Sequence, residues 1–284
     1  MIKKIVILLF VLLVVLYQVT INYVDSKIQI TTKNDIYNSC HKIWSARGVY
    51  EEYANQNSIG SFKKAFSRGS VGAEVDLYYD VKSNRFIISH DRPKKDKNGE
   101  LIYTKKDGVI LTLEKLLQDV GENHYFWLDY KNLNRITLKE TEIAIERLLA
   151  ITAGNLVRDR LYIEGSDPWL LSVYTDAGFK TILGIHPPYE SNWLSSLTNN
   201  VYKMAYYFNN ISAIAMSYGL LNDPAYGAQT QAIFNHVPVF LFHVPDNKQL
   251  ITKLKKQSNV RVMLIGRDIS LDRASMNDCP DTSQ

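Results

Sequence analysis

The chain has 284 residues, 46% of them hydrophobic and 22% charged, an ordinary globular composition without internal repeats or low-complexity tracts. A net charge of +4 and a pI near 8.8 suit attraction to anionic lipid or phosphate, but are too weak to argue for nucleic acid as a partner. A single α/β barrel takes about 250 residues, so the length accommodates one such domain behind a short leader.

The leader comes first. Lys3 and Lys4 precede an unbroken apolar run, Ile5 to Leu16, which weakens through Tyr17, Gln18 and Thr20 to Val24. The extended segment approaches the roughly 20 residues that a spanning helix needs. No small-x-small cleavage site follows, since Val19, Thr20, Ile21 and Asn22 hold those positions, and no Cys ends the run to take a lipid. Residues 1–25 read as an uncleaved signal anchor, with a cleaved signal peptide as the alternative. The two lysines set the N-terminus in the cytoplasm and the rest on the extracytoplasmic side. Residues 26–40 read as a linker and 41–284 as the globular domain. Cys40 and Cys279 are an even pair in an exported chain: a disulfide candidate, or two free thiols.

From residue 41, short β-branched or aromatic runs alternate with amphipathic stretches, as βα units around a parallel sheet require. Strands are predicted at 42–46, 72–77, 125–130, 161–164, 181–185, 213–217, 239–243 and 261–265. Helices are predicted at 59–68, 112–120, 137–152, 168–177, 194–208 and 247–257, the fourth opening on Ser166-Asp167-Pro168 with Pro in its first turn. Eight strands point to a single (βα)8 TIM barrel, with an open α/β sheet as the competing architecture. One connection is irregular. After the second strand, residues 85–89 form an extra strand through the turn Lys82-Ser83-Asn84, and a polar insertion runs from Asp91 to Gly108. Loops at that end of a barrel strand build active sites, so this one is expected to rim it. The insertion carries Arg92, Lys94, Lys95, Lys97, Lys105 and Lys106, a basic cluster that suits a solvated loop, with a membrane-facing or substrate-steering surface as the alternative.

The chemistry-bearing residues gather at strand ends. Glu74 and Asp76 are two apart on a strand and share a face. Carboxylates held that close repel unless a cation or proton lies between them, and a hard divalent ion with oxygen ligands answers that need. Asp129 and Lys131 repeat the spacing on the next strand. His90-Asp91 offers an imidazole for proton transfer. Arg47-Gly48 puts a guanidinium after the first strand, suited to a phosphate. Asn57-Ser58 stands where a helix cap is expected.

In order and spacing these residues resemble the glycerophosphodiester phosphodiesterase family of phospholipase-C-like barrels. That family shows His-Arg-Gly, Glu-Asn-Thr, Glu-Leu-Asp, His-Asp and Glu-x-Lys. This chain has Ala46-Arg47-Gly48, Gln56-Asn57-Ser58, Glu74-Val75-Asp76, His90-Asp91 and Asp129-Tyr130-Lys131, with Ile163-Glu164-Gly165-Ser166-Asp167-Pro168 and Phe242-His243-Val244 further on. The resemblance runs from Lys42 to Asp268. It implies that Glu74, Asp76 and Asp129 hold Ca²⁺ or Mg²⁺, that Arg47 and Lys131 contact phosphate, and that His90 is an acid/base. The implied substrate is a glycerophosphodiester or a phospholipid head group. Asp129 replaces the family's Glu, as in the sphingomyelinase D enzymes of spider venoms. Ala46 is the larger departure, because the family's other catalytic histidine belongs there. Glu164, where the family has an amide, and His243 are the nearby candidates to take over a proton transfer, against the plainer readings of a rim salt bridge for Glu164 and a packed imidazole for His243; His186 is left without a role. Against the hydrolase stands a degenerate barrel that binds a phosphate-bearing lipid or glycan without turnover.

Overall fold

The computed structural model describes residues 2–30, 36–106, 108–153, 157–188, 193–218, 232–265 and 279. Residues 31–35 of the expected linker, and 266–278 and 280–284 of the expected domain, Asp268 among them, lie outside the described residues.

Eight parallel strands close on themselves: β1 (Ile43–Ala46), β2 (Gly72–Asp80), β6 (Tyr125–Tyr130), β7 (Leu161–Gly165), β8 (Lys180–Ile185), β9 (Ala213–Ser217), β10 (Val239–Val244) and β11 (Val260–Ile265), with β11 pairing back to β1. The barrel reading is therefore correct and the open sheet is excluded. Connections run through helices α2 (Ile59–Ser67), α3 (Leu113–Val120), α4 (Leu138–Thr152), α5 (Pro168–Asp176), α6 (Trp193–Phe208) and α7 (Lys248–Lys255). Local chemistry sets their starts. Thr137 and Glu140 form a capping box at α4, and Asp167 accepts from the backbone N–H groups of Trp169 and Leu170 at α5; each such cap contributes about 1 kcal/mol.

The extra strand β3 (Arg85–Ile88) pairs antiparallel to β2, Leu77 opposite Ile88 and Asp80 opposite Arg85. This lengthens β2 beyond its expected end at residue 77. The barrel register on the other side stops at Leu77–Tyr130, so residues 78–80 stand above the barrel with β3 as partner. In the insertion, β4 (Lys94–Lys95) and β5 (Leu101–Ile102) form a small hairpin that the polar sequence does not announce.

Two cores result. Inside the barrel, Trp44, Trp127, Tyr162 and Phe240 pack edge-to-face or tilted with Ile182, Val262 and Leu264, and Ile36 and Tyr37 close the lower end. Outside, strand and helix faces share a larger apolar layer. Large aromatics bury ~150–250 Å² each, which lets four rings fill the barrel without a pore.

The first helix, α1, runs Ile2–Ile30, past the expected end of the apolar segment at residue 25. Residues 5–16 are exposed along their length, while Val24 and Ile28 join the outer core. Its second half docks on α6: Tyr17 Oη accepts from Asn200 Nδ2 at 2.9 Å, Asp25 pairs with the buried Lys203 at 2.5 Å, and Tyr23 meets Tyr207 edge-to-face. Cys40 and Cys279 form a disulfide with Cα atoms 5.2 Å apart, which decides between the two readings of that pair.

Candidate active site

Register places the acids. Asp76 on β2 is the partner of Asp129 on β6, and Asp129 is the partner of Glu164 on β7. Neighbours in parallel register point to one face, so three carboxylates form a row around the upper barrel, with Glu74 one inward step below Asp76. Oxygens of Glu74, Asp76 and Asp129 all lie within 4.8 Å of one another. Glu74 and Asp76 are buried. The row borders a cavity of about 600 Å³ at the C-terminal end of the strands, lined by Ala46, Arg47, Tyr50, Glu74, Trp127, Asp129, Lys131, Glu164, His186, Phe242 and His243, among others.

Two cations stand among the acids. Arg47 adopts φ +58° and Gly48 φ +81°, a left-handed turn that directs the chain sharply off β1. The Arg47 backbone is tied down on both sides, its N–H donating to the Glu74 carbonyl and its carbonyl accepting from Asn57 N–H and Ser61 Oγ. Its Nε reaches Asp76 Oδ2 at 3.3 Å and Glu74 Oε2 at 3.9 Å, and Gln56 Oε1 accepts from Nη1 at 2.8 Å. Lys131 Nζ lies 2.5 Å from Asp76 Oδ1 and donates to Asp129 Oδ2.

Asn57 is more than a cap. Ser58 caps α2, exchanging hydrogen bonds with Ser61. Asn57 instead turns inward at φ +55°, its Nδ2 donating to Asp76 Oδ2 at 2.7 Å and its Oδ1 accepting from the Asp76 N–H at 3.2 Å. This two-way pairing fixes the most buried carboxylate.

The electrostatics divide the acids. Burial works against the charge of Asp76, but Lys131 and Arg47 hold its carboxyl below the usual range. Burial, then repulsion from Asp76, pushes Glu74 well up, and burial outweighs Lys131 at Asp129. Burial and Asp129 drive Glu164 up to about 8, against the hydrogen bond it accepts from Trp127 Nε1 at 2.5 Å. Four carboxylates against two cations leave two negative charges uncompensated when all are ionised. Asp76 Oδ1 is buried, with the Lys131 ammonium as its partner. An all-oxygen set with that surplus fits a hard divalent cation.

The other expected residues fall unevenly. His90 is not among the cavity-lining residues; its Nδ1 is held by Tyr53 Oη at 2.8 Å and Asp91 Oδ1 at 3.2 Å. His186 and His243, which the strand pattern leaves without a role or with a packing role, both line the cavity. His243 takes φ +53°, a conformation that a packed strand residue does not need, and its Nδ1 lies 3.4 Å from Ser217 Oγ. Their positions directly after β8 and near the end of β10 are the signal that marks them. Lys106 departs from the basic cluster: it is buried, donating to the Ala54 carbonyl at 3.0 Å, because the insertion folds back over the turn after β1.

No family model matches the sequence, and no curated protein does. Solved structures do match. A glycerophosphodiester phosphodiesterase from Thermotoga maritima is 17% identical with a TM-score of 0.55, over 78% of this chain and 93% of that one. Two from Parabacteroides distasonis are 13% and 15% identical, with TM-scores of 0.55 and 0.53, over 91% and 81% of this chain and 93% of each of theirs. At such identities the likeness is one of fold. The chain has the TIM-barrel fold of the glycerophosphodiester phosphodiesterases, the fold that its motif order implies.

Proposed function

We propose that the chain is a divalent-metal-dependent phosphoric diester hydrolase acting on glycerophosphodiesters or phospholipid head groups. The observation that carries this reading is the cradle of Glu74, Asp76 and Asp129 with Arg47 and Lys131 at the mouth of the barrel. The three carboxylates would hold Ca²⁺ or Mg²⁺, which supplies Lewis-acid polarisation of a phosphoryl oxygen when bound. Arg47 and Lys131 orient the phosphate and offset its charge. A hydroxyl of the substrate attacks phosphorus and loses its proton to His90, which stands outside the cavity lining but near enough to influence Asp76, and whose Nδ1, engaged by Tyr53 and Asp91, leaves Nε2 for the transfer. The P–O bond to the other alcohol breaks, and Glu164, aimed into the cavity beside Asp129, protonates the departing alkoxide, leaving a cyclic phosphodiester. Water then attacks phosphorus and gives its proton to the Glu164 carboxylate, the ring P–O bond breaks, and His90 returns its proton to the ring oxygen, which completes hydrolysis and resets both groups. Glu164 thereby takes the place of the imidazole that Ala46 lacks. The barrel stands on the extracytoplasmic side of a membrane, held by α1.

Ala46 favours a second reading, a barrel that binds the phosphodiester without cleaving it. The experiment is a hydrolysis screen over glycerophosphodiesters and lysophospholipids with wild type and Asp76→Ala. Divalent-dependent turnover lost in the variant supports the hydrolase. Tight binding without turnover in wild type replaces it with the binder.

A further inference from the structure

We infer that the mouth of the barrel faces the bilayer in which α1 is anchored, so that the phosphodiester taken by this site is the head group of a membrane-resident lipid. The chemistry rests on the hydrolase reading above; the orientation rests on helix packing alone.

A helix that follows a barrel strand begins at the C-terminal end of the strands, so the first turn of α6, after β8, marks the mouth. Helix α1 runs parallel to α6, because Tyr17 meets Asn200 while Tyr23 and Asp25, further along α1, meet Tyr207 and Lys203, both further along α6. The C-terminal end of α1 leads towards Tyr37, which packs on Tyr125, the first residue of β6, at the opposite end of the barrel. The exposed apolar half of α1 therefore leaves the molecule past the mouth. The buried Lys203 pairing with Asp25, and Val24 and Ile28 in the outer core, hold it in that direction.

The mouth carries what a bilayer surface requires. Trp193 and Leu194 open α6 at 77% and 50% exposure, about 10 Å of helix above Asn200. Trp169, 74% exposed, sits in the first turn of α5, three residues after the cavity-lining Ser166. Indole rings at such exposure are costly in water and settle at the head-group level of a membrane. Arg92, Lys94, Lys95, Lys97 and Lys105 are exposed on the insertion at the same end, a charge complement to anionic lipid.

The native tryptophans report the orientation. Trp44 and Trp127 are sealed in the barrel, and Trp169 and Trp193 are not. The full chain is reconstituted into phosphatidylcholine–phosphatidylglycerol vesicles whose lipids carry bromine near the head group. Roughly half of the emission, the share of two of the four tryptophans, is expected to be quenched, and Trp169→Phe with Trp193→Phe to abolish that quenching. Absence of quenching overturns the inference. In parallel, hydrolysis of vesicle phosphatidylglycerol is compared with that of soluble glycerophosphoglycerol. Trp193→Ser with Leu194→Ser is expected to slow the vesicle reaction about tenfold and leave the soluble one unchanged. Equal loss on both, or preference for the soluble diester, overturns the lipid assignment. Quenching with neither substrate cleaved removes the hydrolase reading and leaves the orientation standing.

Discussion

Ala46 stands in register with Glu74 across the β1–β2 pairing, so a methyl group faces the acid cradle where the related motif places an imidazole. The surrounding geometry is otherwise filled with charge. Proton transfer then falls to groups on other strands, and Glu164 is the carboxyl in the row that the cradle does not use. Glu164→Gln is expected to lower turnover about 10²–10⁴-fold, the usual cost of losing a general acid. Adding Ala46→His to that variant is expected to restore part of the rate. Steady-state kinetics of the two variants check this; a double variant as slow as Glu164→Gln alone would separate position 46 from proton transfer.

Gly184 keeps Glu164 in place. A Cβ at Gly184 would lie 2.5 Å from Glu164 Oε1, the end of a side chain that can swing away. Gly184→Ala is therefore expected to displace the carboxyl and reduce kcat tenfold or more, while stability changes by less than about 1 kcal/mol. Kinetics and urea denaturation on the same sample distinguish displacement from unfolding.

Burial pushes the Glu164 carboxyl up to about 8, against about 4.3 in the unfolded chain. Between these values the folded state holds the proton and the unfolded state does not. Stability contributed by Glu164 is thus present below pH 4.3 and is lost as pH rises towards 8. In metal-free protein, Glu164→Gln is expected to remove this dependence and to stabilise the fold above pH 8 by on the order of 1–3 kcal/mol. Denaturation midpoints at pH 6 and pH 8.5, wild type against variant, measure it.

Asn57→Ala removes both hydrogen bonds to the buried Asp76 and puts alanine at φ +55°, a region that asparagine tolerates better. Leaving Asp76 without these partners is expected to cost about 1–3 kcal/mol and to weaken divalent-ion binding. Asn57→Gly separates the two effects, since it loses the hydrogen bonds and relieves the backbone.

Much of the fold was legible because its signals are local. Strands such as 125–130 and 213–217 are read to the residue, since apolar runs bounded by turn residues leave little choice. The longer β2 was not legible, because residues 78–80 are a strand only with β3 beside them. The cradle could be read from two-residue spacings, but the inward turn of Asn57 could not, because an Asn before a helix has the same appearance when it merely caps. The docking of α1 was hidden for a related reason. Val24 reads as the end of an apolar leader and Ile28 as linker, and only tertiary contacts reveal that both pack on the barrel. His186 stands in no motif, and His243 looks the same in sequence whether it packs or lines a cavity, because a single histidine at a strand end carries no spacing.

The central claim is a divalent-dependent phosphodiester site built on Glu74, Asp76 and Asp129. Its most direct test is the rate of phosphodiester hydrolysis by the full-length protein in Ca²⁺ or Mg²⁺, in chelator, and with Asp76→Ala. Turnover is expected with the ion, and a loss of at least about 10²-fold both on chelation and in the variant. Turnover that survives chelation and Asp76→Ala alike would contradict it.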